Sequence, residues 1–255
     1  MALLCLAGGV FGCNGQLNPR AKELLRSGYE AYGRGEDRDT VRRMDAFLQE
    51  NGRSNSEDEG YYLRGLTKYR SGDRRGAQAD LNEAIGRTEQ KDIRVGARLA
   101  LGDLAYEDDE MALAENAYRQ ALADIEPGQE PADHVYYRLG CILQRQGRWR
   151  DASGQFRRLR HHFVDSELAK RAGRRVNGDA WTVQMGAFGA KSRADAVAAE
   201  LRGKRLQAFS RPIADGSTLL FVVQVGLYST YEQAVAALRG IQKTQSDAFV
   251  IVTAR

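Results

Sequence analysis

The sequence predicts a multidomain protein: an all-α helical-repeat solenoid followed by a smaller α+β sandwich with the element order β-α-β-β-α-β. Three observations predict this fold class. Helical segments anchored on a glycine recur at a spacing of 37 or 38 residues. The apolar periodicity then changes from helical to alternating after Asn177-Gly178. Beyond that point the stretch WTVQMGAF at 181–188 returns as FVVQVGLY at 221–228.

Length and composition agree with two modest domains. The chain has 255 residues, of which 42% are hydrophobic and 28% charged, an ordinary globular composition. The net charge of +4 is unevenly distributed, because residues 138–175 carry 11 Lys and Arg against 3 acidic residues, whereas residues 1–137 carry 18 against 25. We interpret the basic segment as a solvated helix face. The alternatives are a surface for phosphates, lipid headgroups or another acidic polymer.

Residues 1–19 have the character of a signal segment and tether. Their apolar run, MALLCLAGGVFGC, is too short to span a bilayer and has the length of a secretory h-region. Gly12 followed by Cys13 resembles the signal of bacterial lipoproteins. This resemblance implies lipidation of Cys13, a membrane anchor, and a place in the periplasm of the bacterial envelope. Export without lipidation and a plain disordered N-terminus remain the alternatives.

Residues 20–176 contain the helical repeats. Anchor glycines on the first helix of each pair are Gly28, Gly65, Gly102 and Gly140. Seven residues later come turn positions, at Gly35, Gly72, Asp109 and Gly147. The second helices carry small residues around a bulky one, which is Leu81, Tyr118 or Phe156. The first helix needs a glycine or another small residue where the second helix crosses it, and the second helix needs alanine where the next repeat packs close. The first copy is irregular, with Thr40 and Phe47 where alanine is expected.

This pattern resembles the tetratricopeptide repeat, or TPR. The resemblance implies a curved array whose concave groove holds a peptide or partner protein that the sequence does not identify. Residues 164–176 are predicted to form a capping helix with Asp165 or Ser166 as its N-cap. The adjacent His161 and His162 lack the i, i+4 spacing of metal ligands on a helix, so we predict no metal site.

Residues 178–255 are predicted to form a four-stranded antiparallel sheet with both helices on one face. Alternation places Trp181, Val183 and Met185 under the helices and Thr182 and Gln184 on the open face. The second copy repeats this arrangement, with Leu220, Val222 and Gln224 on the open face. Ser192 is predicted to be the N-cap of the first helix and Gly203 its end. A glutamine on an uncovered face need not be buried and is free to bind a ligand.

The doubled motif, each copy followed by an Ala-rich helix, resembles the sporulation-related repeat, or SPOR, domain. The resemblance implies binding of peptidoglycan, in particular glycan strands stripped of stem peptides, which are enriched at division sites. It assigns ligand contacts to Gln184, Ala187, Leu220 and Phe249. The chemistry of the open face adds Thr182, Val222 and Gln224, since amides and hydroxyls suit the polar groups of a glycan and apolar side chains suit its ring faces.

No catalytic or cofactor-binding motif is found in the sequence, so we predict a non-enzymatic protein without a cofactor. RNA-recognition modules share the β-α-β-β-α-β order, but they stack bases on strand aromatics within a basic signature. The corresponding positions hold Thr182, Gln184, Val222 and Gln224, so no nucleic acid is expected. The remaining alternative is a periplasmic protein-protein scaffold that does not bind glycan.

Overall fold

The computed structural model describes residues 17–50, 56–215, 218–242 and 247–253. Residues 1–16, including the predicted lipidation site Cys13, lie outside these ranges. Contacts divide the chain into two compact units between Asp124 and Ile125. That division falls within the helical repeats, whereas the domain boundary near Val176, which was drawn from the sequence pattern, stays a prediction.

The first unit consists of three helical hairpins over its described residues. The helices are α1 (Pro19–Gly33), α2 (Asp37–Glu50), α3 (Glu57–Ser71), α4 (Arg74–Arg87), α5 (Lys91–Glu107) and α6 (Met111–Ala123). Helix α1 begins at an Asn18 cap, whose side chain accepts a hydrogen bond from the Ala21 backbone N–H over 2.8 Å. The predicted turn positions Gly35, Gly72 and Asp109 all adopt positive φ, at 77°, 87° and 63°. Only glycine adopts this conformation freely, so the positive φ carries a conformational energy cost at Asp109 that it does not carry at Gly35 and Gly72.

Close helix crossings explain the anchor glycines. A Cβ at Gly28, Gly65 or Gly102 would collide with a side chain of the paired helix. The side chains met are Met44, Leu81 and Tyr118, respectively. The predicted need for a small residue at each helix crossing is therefore confirmed, and the structure adds the bulky side chain that each glycine meets, which is Met44 in the irregular first copy.

That first copy compensates for its large residues within the same unit. Phe47 is fully buried, and a Cβ at Gly60 on the next hairpin would collide with its ring. In the following repeat both positions are alanine, Ala84 and Ala97, and both are fully buried. The volume added at Phe47 is thus matched by the volume removed at Gly60, which preserves the packing density that cores require.

The second unit begins with a fourth hairpin and a short capping helix. These are α7 (Ala132–Arg145), α8 (Trp149–His162) and α9 (Glu167–Gly173). Gly147 turns the hairpin with φ of 75°, and a Cβ at Gly140 would collide with Phe156 of α8. Of the two predicted caps for α9, Ser166 is the one used, since its hydroxyl accepts from the Ala169 N–H over 3.0 Å.

A four-stranded antiparallel sheet with two helices completes the unit. Its elements are β1 (Ala180–Phe188), α10 (Lys191–Gly203), β2 (Ala208–Asp215), β3 (Thr218–Tyr228), α11 (Tyr231–Gln242) and β4 (Phe249–Thr253). The strand order is β2-β3-β1-β4, so the repeated motif forms the two central strands. The predicted β-α-β-β-α-β order is confirmed. Ser192 as N-cap is wrong, because α10 already begins at Lys191 and Ala190 occupies the cap without a side-chain bond.

The core of this sheet lies between the strands and both helices. Val183 and Met185 of β1 and Val223 and Val225 of β3 are buried there. Phe188 and Tyr228 pack against the same core, as their position after each glycine predicted. Trp181 differs from the expectation, because it lies outside this cluster and its ring contacts Trp149 of α8 and Tyr231 of α11 instead.

None of the helices in the described ranges has both the length and the apolar character needed to cross a bilayer.

Candidate functional site

The sheet face opposite α10 and α11 carries a row of four side chains that crosses all four strands. Phe209 of β2 pairs with Gln224 of β3, Gln224 pairs with Gln184 of β1, and Gln184 pairs with Phe249 of β4. Directly opposed residues on neighbouring strands share a face. Two amides therefore lie side by side at the centre of the face, with an aromatic ring at each end of the row.

Further rows flank this one. Arg211, Val222 and Ala187 are opposed across β2, β3 and β1, and Ile213 is opposed to Leu220. Among the predicted contacts, Phe249 is 48% exposed, Ala187 is also exposed, and Gln184 and Leu220 are half-buried. These four side chains are accessible to a ligand on this face.

The expectation of an uncovered face is wrong at three other predicted contacts. Thr182 and Val222 are fully buried, and Gln224 is 2% exposed. All three lie on the central strands β1 and β3. The Thr182 hydroxyl donates to the Gly226 carbonyl oxygen over 2.7 Å, so it is already engaged in the fold.

The two glutamines also differ in their hydrogen bonding. The Gln224 Oε1 accepts from the Thr253 hydroxyl over 3.5 Å, and that hydroxyl also accepts from Arg211 Nη1 over 2.5 Å. The Gln184 amide makes no hydrogen bond to another side chain or backbone group within the described ranges. Gln184 is therefore the amide with free donor and acceptor capacity, whereas Gln224 is part of a buried polar network.

Comparison with protein-family models decides what this sheet is. The model described as the SPOR domain matches residues 177–252, which include all four strands and both helices. This region is a SPOR domain. A SPOR domain implies peptidoglycan binding, and the sequence resemblance stated above is confirmed.

Solved structures of TPR proteins match the helical region N-terminal to the SPOR domain. One is a tetratricopeptide repeat protein from Parabacteroides merdae ATCC 43184, with a TM-score of 0.53 and 16% identity, covering 62% of this chain and 59% of that one. MamA matches with a TM-score of 0.51 and 17% identity, over 63% of this chain and 81% of that one. YrrB, described as a TPR protein with an unusual peptide-binding site, matches with a TM-score of 0.51 and 15% identity, over 63% of this chain and 76% of that one.

At these identities the likeness shows a shared TPR-like fold. This chain spans 59% of the length of the Parabacteroides merdae protein. A comparison with curated proteins found no match. The predicted fold class, a TPR-like helical solenoid followed by a SPOR fold, is confirmed.

Two residues of the SPOR domain face were missed in the sequence. Phe209 ends the row of four, and Arg211 adds a cation to the neighbouring row. The signal was present, since alternation in AFSRPI places Phe209, Arg211 and Ile213 on one face and Ser210 on the other. The Ser210 hydroxyl donates a hydrogen bond to the Asp195 carboxylate of α10, on the helix side of the sheet.

The rows named above on the SPOR domain face carry little charge. Within the described side chains of the rows named above, Arg211 is the single charged group. Asp195 lies on the helix side, where its hydrogen bond from Lys191 Nζ over 2.6 Å holds the pKa of the carboxyl below its usual value. Glycoside hydrolysis uses two carboxyl groups flanking the bond to be cleaved, and these rows present none.

The fourth hairpin contacts the linker into the SPOR domain through a buried amide. Gln144, at the end of α7, is fully buried; its Nε2 donates to the Arg175 carbonyl oxygen over 3.0 Å, and its Oε1 accepts from Arg175 Nε over 2.8 Å. The Ser153 hydroxyl of α8 donates to the Val176 carbonyl oxygen over 2.5 Å. The last hairpin is therefore engaged with the chain's own linker on this side.

Proposed function

We propose that this protein is a non-catalytic cell-envelope protein that binds glycan strands of peptidoglycan, stripped of their stem peptides, through the open sheet face of its SPOR domain. The observation that carries the proposal is the row Phe209, Gln224, Gln184 and Phe249 on a domain whose family binds peptidoglycan. Support comes from both modules, since SPOR domains and TPR-like folds are non-catalytic binding domains.

The accessible residues match the two kinds of surface that a glycan presents. The half-buried Gln184 amide, without a partner in the described ranges, donates to and accepts from hydroxyls and acetamides. Phe249 and Leu220 offer apolar area to the C–H faces of the sugar rings. The small exposed Ala187 lets the ligand approach the backbone of β1. Thr182, Val222 and Gln224 lie on the same strands but are buried, so we assign them a supporting role in this face.

Binding to purified sacculi tests the proposal. The full chain carrying Cys13→Ser is incubated with sacculi treated with an amidase to remove stem peptides, and with untreated sacculi. We expect more protein in the treated pellet. Phe249→Ala should reduce that fraction severalfold, because it removes an exposed ring from the row.

A matched control lies on β3. Leu219 is 57% exposed and precedes Leu220, so alternation places it on the opposite face. Leu219→Ala should bind treated sacculi as the parent does. Equal binding by the parent and Phe249→Ala would contradict the proposed face. Absence of any binding by the parent would favour the alternative, a protein-protein scaffold without glycan binding.

The TPR-like helices supply the second part of the proposal, recruitment of a protein partner in their groove. A TPR-like fold implies protein interaction, and the similar protein YrrB is described as having a peptide-binding site. The fourth hairpin is already engaged with Arg175 and Val176, so we assign the partner surface to the hairpins of residues 17–124. A photoreactive residue placed at the exposed Glu30 of α1 tests this assignment. We expect it to cross-link to the partner protein, whereas the same residue at the control site Asn82 of α4 should not. Mass spectrometry identifies the adduct.

Location follows from the ligand. The SPOR domain favours association with the cell envelope, and we propose periplasmic placement at division sites, with a lipid anchor at Cys13. A fluorescent fusion of the full chain, exported to the periplasm, should gather at midcell, and the Phe249→Ala fusion should spread around the cell outline. Uniform distribution of the parent fusion would contradict the division-site proposal.

A further inference from the structure

Helices α8 and α9 carry arginines that lack the ion pairs made elsewhere in the chain. In the first unit, arginines bridge helices, as in Arg64 to Asp80 at 2.6 Å and Arg74 to Glu107 at 3.1 Å. On α8, α9 and the residue after α9, six exposed arginines form no ion pair with any carboxylate in the described ranges. They are Arg150, Arg157, Arg158, Arg160, Arg171 and Arg174. Their guanidinium groups are therefore not held in ion pairs by the described part of the chain.

The fold brings some of these arginines together in pairs. Arg150 and Arg157 lie seven residues apart on α8, which places them on the same helix face. Both line a shallow depression with the linker 176–179, which also contributes one acidic residue, Asp179. The Arg160 Nε lies 3.7 Å from the position of a Cβ on Gly173, so the end of α8 lies beside the end of α9, next to Arg174.

An exposed apolar residue lies in the turn between these two basic helices. Val164, in the turn between α8 and α9, is 71% exposed, the largest value among the exposed large hydrophobic residues described. It follows His161, His162 and Phe163 directly, and the segment 149–175 carries eight Lys and Arg against three acidic residues. Two of those acidic residues, Asp165 and Glu167, follow Val164 closely, and Glu167 is paired with Lys170 at 2.5 Å. An exposed apolar side chain between cation-rich helices is an arrangement that suits the headgroup region of a bilayer, where apolar and anionic groups occur together.

We propose that the α8–α9 surface, defined by Arg150, Arg157, Arg160, Val164 and Arg174, docks on a bilayer surface that displays anionic phosphate headgroups. The guanidinium groups contact lipid phosphates, and Val164 enters the headgroup boundary. This is a second binding function, on elements separate from the glycan-binding sheet face. A nucleic acid or a free polyphosphate would engage the same cations but would gain nothing from Val164.

Vesicle co-sedimentation tests the proposal on the full chain carrying Cys13→Ser, so that no lipid anchor contributes. Vesicles of phosphatidylcholine with 30% phosphatidylglycerol are compared with pure phosphatidylcholine vesicles. We expect binding to the anionic vesicles, weakened by salt. Each arginine near such a surface changes the binding constant about fivefold, so Arg150→Glu with Arg157→Glu should weaken binding at least about twentyfold.

The matched control makes the same change in net charge in the first unit. Arg38 and Arg75 are also exposed and also form no ion pair in the described ranges. Arg38→Glu with Arg75→Glu should bind vesicles nearly as the parent does. Val164→Ser should weaken vesicle binding severalfold and leave binding of soluble polyphosphate unchanged. Thermal melting and sacculus binding of each variant should equal those of the parent.

Three results would overturn the proposal. The first is an equal loss of vesicle binding by the control double variant and by the α8 double variant, which would show that net charge alone causes the binding. The second is unchanged vesicle binding by Val164→Ser together with equally tight binding of polyphosphate, which would indicate a polyanion site. The third is absence of vesicle binding by the parent at low salt.

Discussion

The indole nitrogen of Trp181, at the start of β1, donates to the backbone carbonyl oxygen of Gln144, at the end of α7, over 2.9 Å. One residue is in the SPOR domain and the other in the last helical hairpin. The Trp181 ring also contacts Trp149 and Tyr231, at centroid distances of 5.9 and 5.0 Å. The Arg145 guanidinium lies 4.4 Å from the centroid of the Tyr231 ring. The aromatic residue that opens the repeated motif thus attaches the sheet to the repeats, within the compact unit Ile125–Arg255.

Trp181→Ala should destabilise this unit, because the side chain is only 5% exposed and contacts both parts of it. We expect a loss of about 3–5 kcal/mol in the free energy of unfolding, measured by denaturant titration. Trp181→Phe, which keeps an aromatic ring but removes the N–H, should cost less. A fragment 178–255 should fold but melt below a fragment 125–255. Equal melting of the two fragments would show that the Trp181 contacts contribute no stability.

Gln184→Ala and Gln224→Ala form a matched pair at equivalent positions of the two motifs. Gln184 is half-buried and unbonded in the described ranges, so its loss should leave melting nearly unchanged and weaken glycan binding by about 1–3 kcal/mol. Gln224 is buried, so Gln224→Ala should lower the melting temperature and reduce the free energy of unfolding by about 1–3 kcal/mol. Val183→Ala, in the core, should lower stability and spare binding in the folded fraction. The binding role of Gln184 is refuted if Gln184→Ala melts the domain or binds glycan as tightly as the parent.

Gly102→Ala should destabilise the first unit. A Cβ there collides with the buried Tyr118 ring, whose hydroxyl also donates to Asp103 over 2.6 Å, so the ring has little freedom to move. Overpacking of this kind costs about 1–3 kcal/mol. Gly86→Ala is the control, because no atom lies within 4 Å of its Cβ position and alanine favours the helix by up to about 1 kcal/mol. Circular dichroism melts should move in opposite directions for the two variants, and a shared direction would contradict the crossing geometry.

Cys141 should resist alkylation in the native protein. The thiol is buried, and burial raises its pKa, so the reactive thiolate is scarce at neutral pH and becomes populated only as the pH rises through that higher pKa. Iodoacetamide at pH 8 should label Cys141 slowly, and unfolding in denaturant should accelerate labelling by orders of magnitude. Peptide mass spectrometry locates the label. Rapid labelling of native Cys141 would show that α7 opens readily.

Cys13→Ser should release the protein from membranes into the soluble periplasmic fraction, if Cys13 carries the proposed lipid. Fractionation should be done at high salt, which removes the electrostatic contact proposed for α8 and α9. Cys5→Ser serves as the control and should stay with the membrane. Membrane retention of Cys13→Ser, with no incorporation of labelled lipid in the parent, would refute the lipoprotein proposal.

Local sequence patterns were enough to predict the helices and strands and the role of the anchor glycines at helix crossings. Gly65 and Gly102 were expected at crossings because a fixed sequence spacing determines where the two adjacent helices of one hairpin cross. The structure adds that the side chains met there are Leu81 and Tyr118. The turn at Asp109 was predicted in the same way, since its repeat period places it where the other copies have glycine. The local signal failed at Ser192, a good cap residue that lies inside the helix because α10 begins one residue earlier, at Lys191.

The sequence by itself determined the fold class, the repeat pairing and the sheet face on which each motif glutamine lies, because each depends on periodicity along the chain. Only the tertiary structure decided which glutamine is accessible. Gln184 lies between β3 and the short strand β4, where its partner is the exposed Phe249, and it is half-buried. Gln224 lies between the longer strands β2 and β1 and is 2% exposed. Burial depends on the length and register of neighbouring strands that are distant in sequence. The repeated motif is nearly the same in both copies and therefore cannot predict how those strands differ.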